Sequence, residues 1–324
     1  MTQMTTRAQT PQQKDIEVHR RALTGYCYRM LGSGAEAEDA VQETMIKAWK
    51  AADRFEGRSS VRSWVFSIAT NVCIDMGRSR QRRARPMDLG PVRTPDPVHL
   101  SDVLPENTWI TPIADEHVID LQGDPAEVVA TRDTIRLAFV STLQRLSPRQ
   151  RAALVLCDVL RWPATEVAEL LDTSTPSINS ALQRARATMA ESTPASMPAK
   201  ALTDDQQRLL ARYVDAFQRY DMDALSRLLH EDVIQTMPPY AMWLQGRDDV
   251  LAWWAGPGAA CEGSKLLAGW ANGCPAFAQY RVDPEGGHAP WALQVLELRG
   301  DRVAEFHAFL DTEAFARFGF PAHL

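Results

Sequence analysis

Apolar residues recur at spacings of three and four from about residue 19 to about residue 85, without strand-like alternation, which predicts a helical first domain. Within it, residues 37–50 set Val41, Met45 and Trp49 on one helical face and Asp39, Gln42 and Glu43 on another. A further helix, from residue 61 to about 80, sets Val61, Val65, Val72 and Met76 against Trp64, Ser67, Asn71 and Arg78. A second helical block covers residues 133–189, broken at Ser147-Pro148 and by the polar cluster 172–176. It divides into a helix through Val159, another over 164–171, and a third from Thr175 with Pro176 in its first turn, where proline is tolerated. In that third helix Ile178, Leu182, Ala185 and Met189 point inward, so Ser177, Ser180, Gln183 and Arg184 point away, as a major-groove reader requires. Beyond residue 200 the pattern changes. Helices over 204–220 and 223–229 precede strand-like runs at 233–237, 276–282, 291–298 and 303–310, the last two flanking the turn Arg299-Gly300-Asp301-Arg302.

The chain is thus multidomain, with two all-α domains and a C-terminal α+β domain, as its 324 residues also favour. The boundaries expected are 15–86 for the first helical domain, 87–130 for a connector, 131–190 for the helix-turn-helix block, 191–201 for a tether and 202–324 for the last domain. From residue 94 to 131 there is no Lys or Arg but eight acidic residues and five prolines, which reads as an irregular acidic connector. Charge is distributed unevenly. Residues 1–95 carry 16 Lys and Arg against 10 Asp and Glu, whereas 96–198 carry 8 against 14 and 199–324 carry 11 against 17. A polyanionic partner therefore suits the N-terminal third best. The five cysteines are scattered without metal-ligand spacing and read as reduced structural thiols, so neither a metal nor a cofactor is expected. No apolar signal core or membrane-length apolar stretch stands out, and a cytoplasmic location, on the nucleoid during initiation, is expected.

Taken alone, the polar face of residues 37–50 would be ordinary solvated surface. The string Ala37-Glu38-Asp39-Ala40-Val41-Gln42-Glu43-Thr44, followed by Ala48-Trp49, resembles region 2.2 of the extracytoplasmic-function sigma factors of RNA polymerase. The resemblance implies that Asp39, Gln42 and Glu43 bind core RNA polymerase, meeting a basic, polar partner helix. Residues 54–80 resemble region 2.3 and its flanks, which implies separation of the promoter strands at the −10 element. Arg58, Ser63, Trp64 and Asn71, with Arg78, Arg80, Arg82 and Arg83 from the five arginines of residues 78–85, are the candidates to contact that DNA. Residues 146–189 resemble region 4 of the same family, which implies reading of the −35 element by Thr175, Ser177, Asn179, Ser180, Gln183, Arg184 and Arg186. The match departs from the family pattern at Asp172-Thr173-Ser174, which lacks a common glycine, and in the length of the connector, whose Trp109-Ile110-Thr111-Pro112 resembles a feature of the subgroup with a C-terminal fusion. The resemblance implies that this acidic connector, free of Lys and Arg, threads toward the polymerase's RNA exit path and mimics nucleic-acid charge, so that Asp115 and Glu116 would crosslink to core polymerase.

Residues 202–324 resemble SnoaL-like domains, a cone of curved sheet with helices around a pocket, on the order of their elements and on Tyr213-Val214-Asp215-Ala216-Phe217, Leu229-His230-Glu231-Asp232-Val233 and Gly246-Arg247. Pocket candidates are Tyr213, Asp215, Trp243, Trp254, Trp291 and His307, with a small molecule as the ligand. Asp215, His230, His288, His307 and Asp311 show no decisive acid-base spacing, so no catalytic residue is assigned and the domain is expected to modulate a sigma factor, not to be an enzyme. The alternatives are a ligand-sensing helix-turn-helix regulator, which leaves the residue 39–49 helix unexplained, and a SnoaL-like enzyme with a DNA-binding appendage.

Overall fold

The computed structural model describes residues 10–78, 82–192 and 202–324. Helices α1 (Gln13–Glu17), α2 (Arg20–Leu31), α3 (Gly34–Ala51) and α4 (Val61–Gly77) come first. Gly32, at φ 72°, ends α2, and Ser33 and Ser60 cap α3 and α4 by accepting from the amides of Glu36 and Ser63. Next are α5 (Pro86–Leu89), α6 (Asp115–Val118) and α7 (Pro125–Ile135), then α8 (Leu137–Leu143), α9 (Pro148–Leu154), α10 (Ala164–Leu170) and α11 (Thr175–Ser192). A capping box between Ser147 and Gln150 starts α9. The helix expected to run regularly to Val159 instead widens into a π turn over Val155–Val159, with Leu160 N donating to Val155 O at 2.9 Å. At the turn before α11, Asp172 takes φ 48°, the left-handed conformation that the missing glycine would have supplied and that Asp tolerates.

The last domain holds α12 (Asp204–Gln218), α13 (Met222–Leu228), β1 (Leu229–Thr236), β2 (Trp243–Gln245), α14 (Arg247–Ala255), β3 (Lys265–Ala271), β4 (Cys274–Val282), β5 (His288–Arg299), β6 (Arg302–Phe309) and α15 (Ala314–Arg317). Its six strands are ordered β2-β1-β6-β5-β4-β3, antiparallel except for the β1–β6 pair. β2 and β3 were not among the expected strands.

The described residues form two compact units: 10–78, 82, 117–122 and 138–192 in one, and 83–116, 123–137 and 202–324 in the other. The first is all-helical. Tyr26, Met45, Val65 and Phe66 fill its centre, and the Tyr26 hydroxyl pairs with Thr70 Oγ1 at 2.7 Å. Arg151 of α9 is a hub, donating to the carbonyls of Leu143, Leu146 and Met30 and to Gln144 Oε1. Burial lowers its pKa to about 10. Connector residues reach this unit through Arg21–Asp120 (3.1 Å) and His117–Glu38 (3.2 Å).

In the second unit one sheet face packs on the helices. Tyr213, Phe217, Trp254, Phe277 and Phe306 interlock there, with ring centroids 5.3–6.1 Å apart along the chain of contacts. Strand residues alternate faces, so Glu297, Glu305 and His307 point the other way, and Arg136, just past the expected end of the connector, lies against Glu297. Arg136 Nη1 lies 3.3 Å from Glu297 Oε2, and His307 bridges Glu305 Oε2 (3.0 Å) and Thr236 Oγ1 (2.8 Å). Burial, with Glu305 alongside, raises the Glu297 pKa. These three ligand-type side chains are close enough to hold an ion, but the Arg136 guanidinium already supplies the counter-charge.

The β3–β4 hairpin holds the connector and the residues 131–137 that follow it, which belong to the same unit. Asn272 Oδ1 accepts from Ile113 N at 3.1 Å, Asn272 Nδ2 donates to Ile135 O at 2.6 Å, and Asp115 Oδ1 accepts from Gly273 N at 2.8 Å. The Arg132 guanidinium lies over the Trp270 ring at 4.6 Å. In the free chain the connector lies along the sheet here, with Asp115 only 1% exposed because its carboxylate meets the hairpin backbone; Glu116 is exposed.

Candidate nucleic-acid and polymerase interfaces

Three helices carry the candidate contacts. On α3, Val41 and Met45 are buried while Asp39, Gln42 and Glu43 are exposed, Glu43 in an i,i+4 pair with Lys47 at 2.7 Å. Trp49 departs from its expected place. Each step of four residues advances about 40° around a helix, so two steps carry Trp49 off the buried stripe, and it is 39% exposed. Ile46, which sequence reasoning passed over, is 47% exposed beside Gln42 and Glu43. The outward stripe is thus an apolar centre with a charged and amide rim. The signal that would have found Ile46 is its +7 spacing from Asp39.

On α4 and its flanks, Arg58, Asn71 and Arg78 are exposed, and Trp64 is half-buried with its ring 5.0 Å from Phe55. Arg58 pairs with Glu56 at 3.0 Å and Arg78 with Asp75 at 3.1 Å. Arg82 is exposed, and Arg80 lies outside the described residues. Two members of the set do not face solvent. Arg83 is 5% exposed, its guanidinium donating to the backbone carbonyls of Glu106 and Trp109, because the chain turns inward there to pair Ala84 N with Thr108 O at 2.8 Å. Ser63 is 8% exposed, hydrogen-bonded to Ser60 Oγ at 2.7 Å and donating to the Glu166 carboxylate of α10.

On α11, Ile178, Leu182 and Ala185 are buried, while Ser177, Asn179, Ser180, Gln183, Arg184 and Arg186 are exposed and Thr175 is half-buried. Arg184 donates to Ser180 Oγ at 2.7 Å, which lays its guanidinium along the outer face. Arg186 is held bidentately by Asp158 at 2.7 and 2.8 Å, and that bond raises its pKa. These side chains form one hydroxyl, amide and cationic face, suited to base edges and phosphates.

Of the six pocket candidates, Tyr213, Trp254 and Trp291 share one core cluster, whereas Asp215, Trp243 and His307 lie elsewhere in the domain. Tyr213 and Trp254 are core residues, the Tyr213 hydroxyl donating to Gln294 Oε1 at 2.8 Å. Asp215 is exposed and paired with Arg219; Trp291 lies under the Arg281 guanidinium at 4.1 Å. Trp243 Nε1 donates to the connector carbonyl of Gly90 at 2.9 Å, and His307 is on the other face of the sheet, bonded to Thr236.

Residues 16–83 match the Sigma-70 region 2 family, 136–189 the Sigma-70 region 4 family, and 210–306 the SnoaL-like domain. The ECF RNA polymerase sigma factor SigG of Mycobacterium tuberculosis is 43% identical over 312 residues, covering 95% of this chain and 83% of that one. The crystal structure of the Mycobacterium tuberculosis extracytoplasmic function sigma factor SigJ matches 96% of this chain and all of that one at 23% identity and a TM-score of 0.60, a likeness of fold. Among the described residues no helix is long and apolar enough to cross a membrane. With both sigma regions in order and that identity sustained along its length, the chain belongs to the extracytoplasmic-function RNA polymerase sigma factors, non-enzymatic factors that bind core polymerase and direct it to promoters.

Proposed function

We propose that the α3 stripe of Asp39, Gln42, Glu43 and Ile46 docks on core RNA polymerase, that α4 with Arg58, Trp64, Asn71, Arg78 and Arg82 engages the −10 element, and that the outer face of α11 reads the −35 element. The observation that carries this is the coexistence in one unit of two differently built outward faces, an acidic one with an apolar centre and a hydroxyl-amide-cationic one. A polyanion is repelled by the first and attracted by the second, so the two suit different partners. The C-terminal domain modulates activity by holding the connector between the two regions. The protein acts in the cytoplasm, on the nucleoid during initiation.

The test is run-off transcription with purified core polymerase over a promoter library. The Asp39→Ala/Gln42→Ala/Glu43→Ala variant is expected to lose at least about tenfold in core binding and in transcript while keeping duplex binding by α11. Undiminished transcript from that variant would sink the assignment of α3. Duplex binding by the full chain with no transcript at all would favour a conventional helix-turn-helix regulator.

A further inference from the structure

Within the helical unit, α4 and α10 enclose a cleft of about 360 Å³. One wall is hydroxyl and indole, from Ser60, Ser63, Ser67 and Trp64; the other carries the carboxylates of Glu166 and Glu169. Ser63 donates to Glu166 and is tied at 2.7 Å to Ser60, the cap of α4. Alongside, Trp162, just before α10, packs on Phe66 with ring centroids 5.0 Å apart, and the Arg62 guanidinium lies over its indole at 4.7 Å. Hydroxyl donors and an aromatic ring are what an unstacked base and its phosphate need. Here those donors face an anion of the chain's own.

We propose that Glu166 is an internal occupant of the α4 cleft, an autoinhibitory contact that single-stranded promoter DNA must displace; this rests on the reading that α4 meets the −10 element. Two physical effects act together. The carboxylate takes the Ser63 hydroxyl through a charge-assisted hydrogen bond, and with Glu169 it places negative charge where a phosphate would approach. The α11 face is more open: Ser177, Asn179, Ser180, Gln183 and Arg184 are exposed, although Asp158 holds Arg186 and Thr175 is half-buried. The free factor thus presents most of its duplex-reading helix while the Ser63–Trp64 part of its strand-separating helix is covered.

The experiment measures binding of a fluorescein-labelled single-stranded oligodeoxynucleotide pool of randomised sequence to the full chain at fixed salt, by anisotropy. Glu166→Ala is expected to bind about tenfold more tightly, the worth of one charge-assisted hydrogen bond. Glu166→Gln, which keeps size and one acceptor, is expected to gain less and serves if the alanine variant fails to fold. Amide exchange at Ser63 and Trp64 should quicken in both. Adding Trp64→Ala should abolish the gain; a double variant as tight as Glu166→Ala would place the effect outside the cleft and overturn the proposal. Unchanged affinity in Glu166→Ala, with Trp64→Ala alone weakening binding, overturns the internal occupant but leaves the −10 assignment standing. No effect of Trp64→Ala in either background removes that assignment and the proposal with it.

Discussion

At the scale of single residues, burial decides what a charged side chain does. Arg82 and Arg83 are adjacent in a basic run, yet one is exposed and the other is buried, donating to two backbone carbonyls. Composition could not separate them, because the distinction lies in the backbone turn at Ala84. Asp115 is the sharper case. Burial, opposed by the Gly273 amide and Arg132, raises its pKa from 3.8 to about 6, and its second oxygen lacks a hydrogen bond, 3.6 Å from Arg132 Nε. A carboxyl whose folded pKa is raised stabilises the fold relative to its ionised form below its unfolded pKa and loses that contribution as pH rises through the folded one. Its share, at most about 3 kcal/mol, is therefore present below pH 3.8 and gone above about 6. Asp115→Asn does not titrate, so its melting temperature relative to the parent should rise between pH 4 and pH 7. A difference that stays flat across that range would show that Asp115 does not titrate as described.

Among elements, what the sequence made legible was local. The helices of both sigma regions announced themselves by three-and-four spacing and by the break at Ser147-Pro148, and α11's inward and outward residues followed from its period alone. β3 did not, because its burial does not alternate cleanly and Gly269 makes room for the Phe320 ring, whose Cζ would lie 2.7 Å from an added Cβ. The connector was legible as acidic and irregular, but not as a docked segment, since Ile113 meets a partner 159 residues away. The turn that receives it has strict demands. Asn272 and Gly273 take φ 57° and 72°, and a Cβ on Gly273 would lie 2.8 Å from Arg132 O. Asn272→Ala leaves Ile113 N and Ile135 O without partners and should cost about 2–5 kcal/mol, with faster exchange at the Ile113 amide. Gly273→Ala should cost at least about 1–2 kcal/mol from backbone strain. Thermal unfolding checks both, and parental stability in either would mean the hairpin does not hold the connector.

For the whole molecule, the docked connector changes what a truncation means. Trp109, Ile110, Ile113, Ile135 and Leu137 are each at most 2% exposed within the unit that contains the C-terminal domain. A chain cut in the tether returns these side chains to water at roughly 1.5–3 kcal/mol per large aliphatic group, and is expected to self-associate on gel filtration. Its transcription phenotype therefore mixes lost regulation with exposed apolar surface. Asn272→Ala separates the two, because it loosens the connector while leaving the domain in place to cover most of that surface. If the domain acts by restraining the chain between regions 2 and 4, run-off output from Asn272→Ala and from the truncated chain should shift in the same direction, the point variant by less. A truncation effect with parental output from Asn272→Ala, in protein whose Ile113 amide exchanges faster, would rule out the connector as the route. Equal shifts would place the whole regulatory effect of some 120 residues in the hold of one hairpin on the segment that joins the two DNA-reading regions.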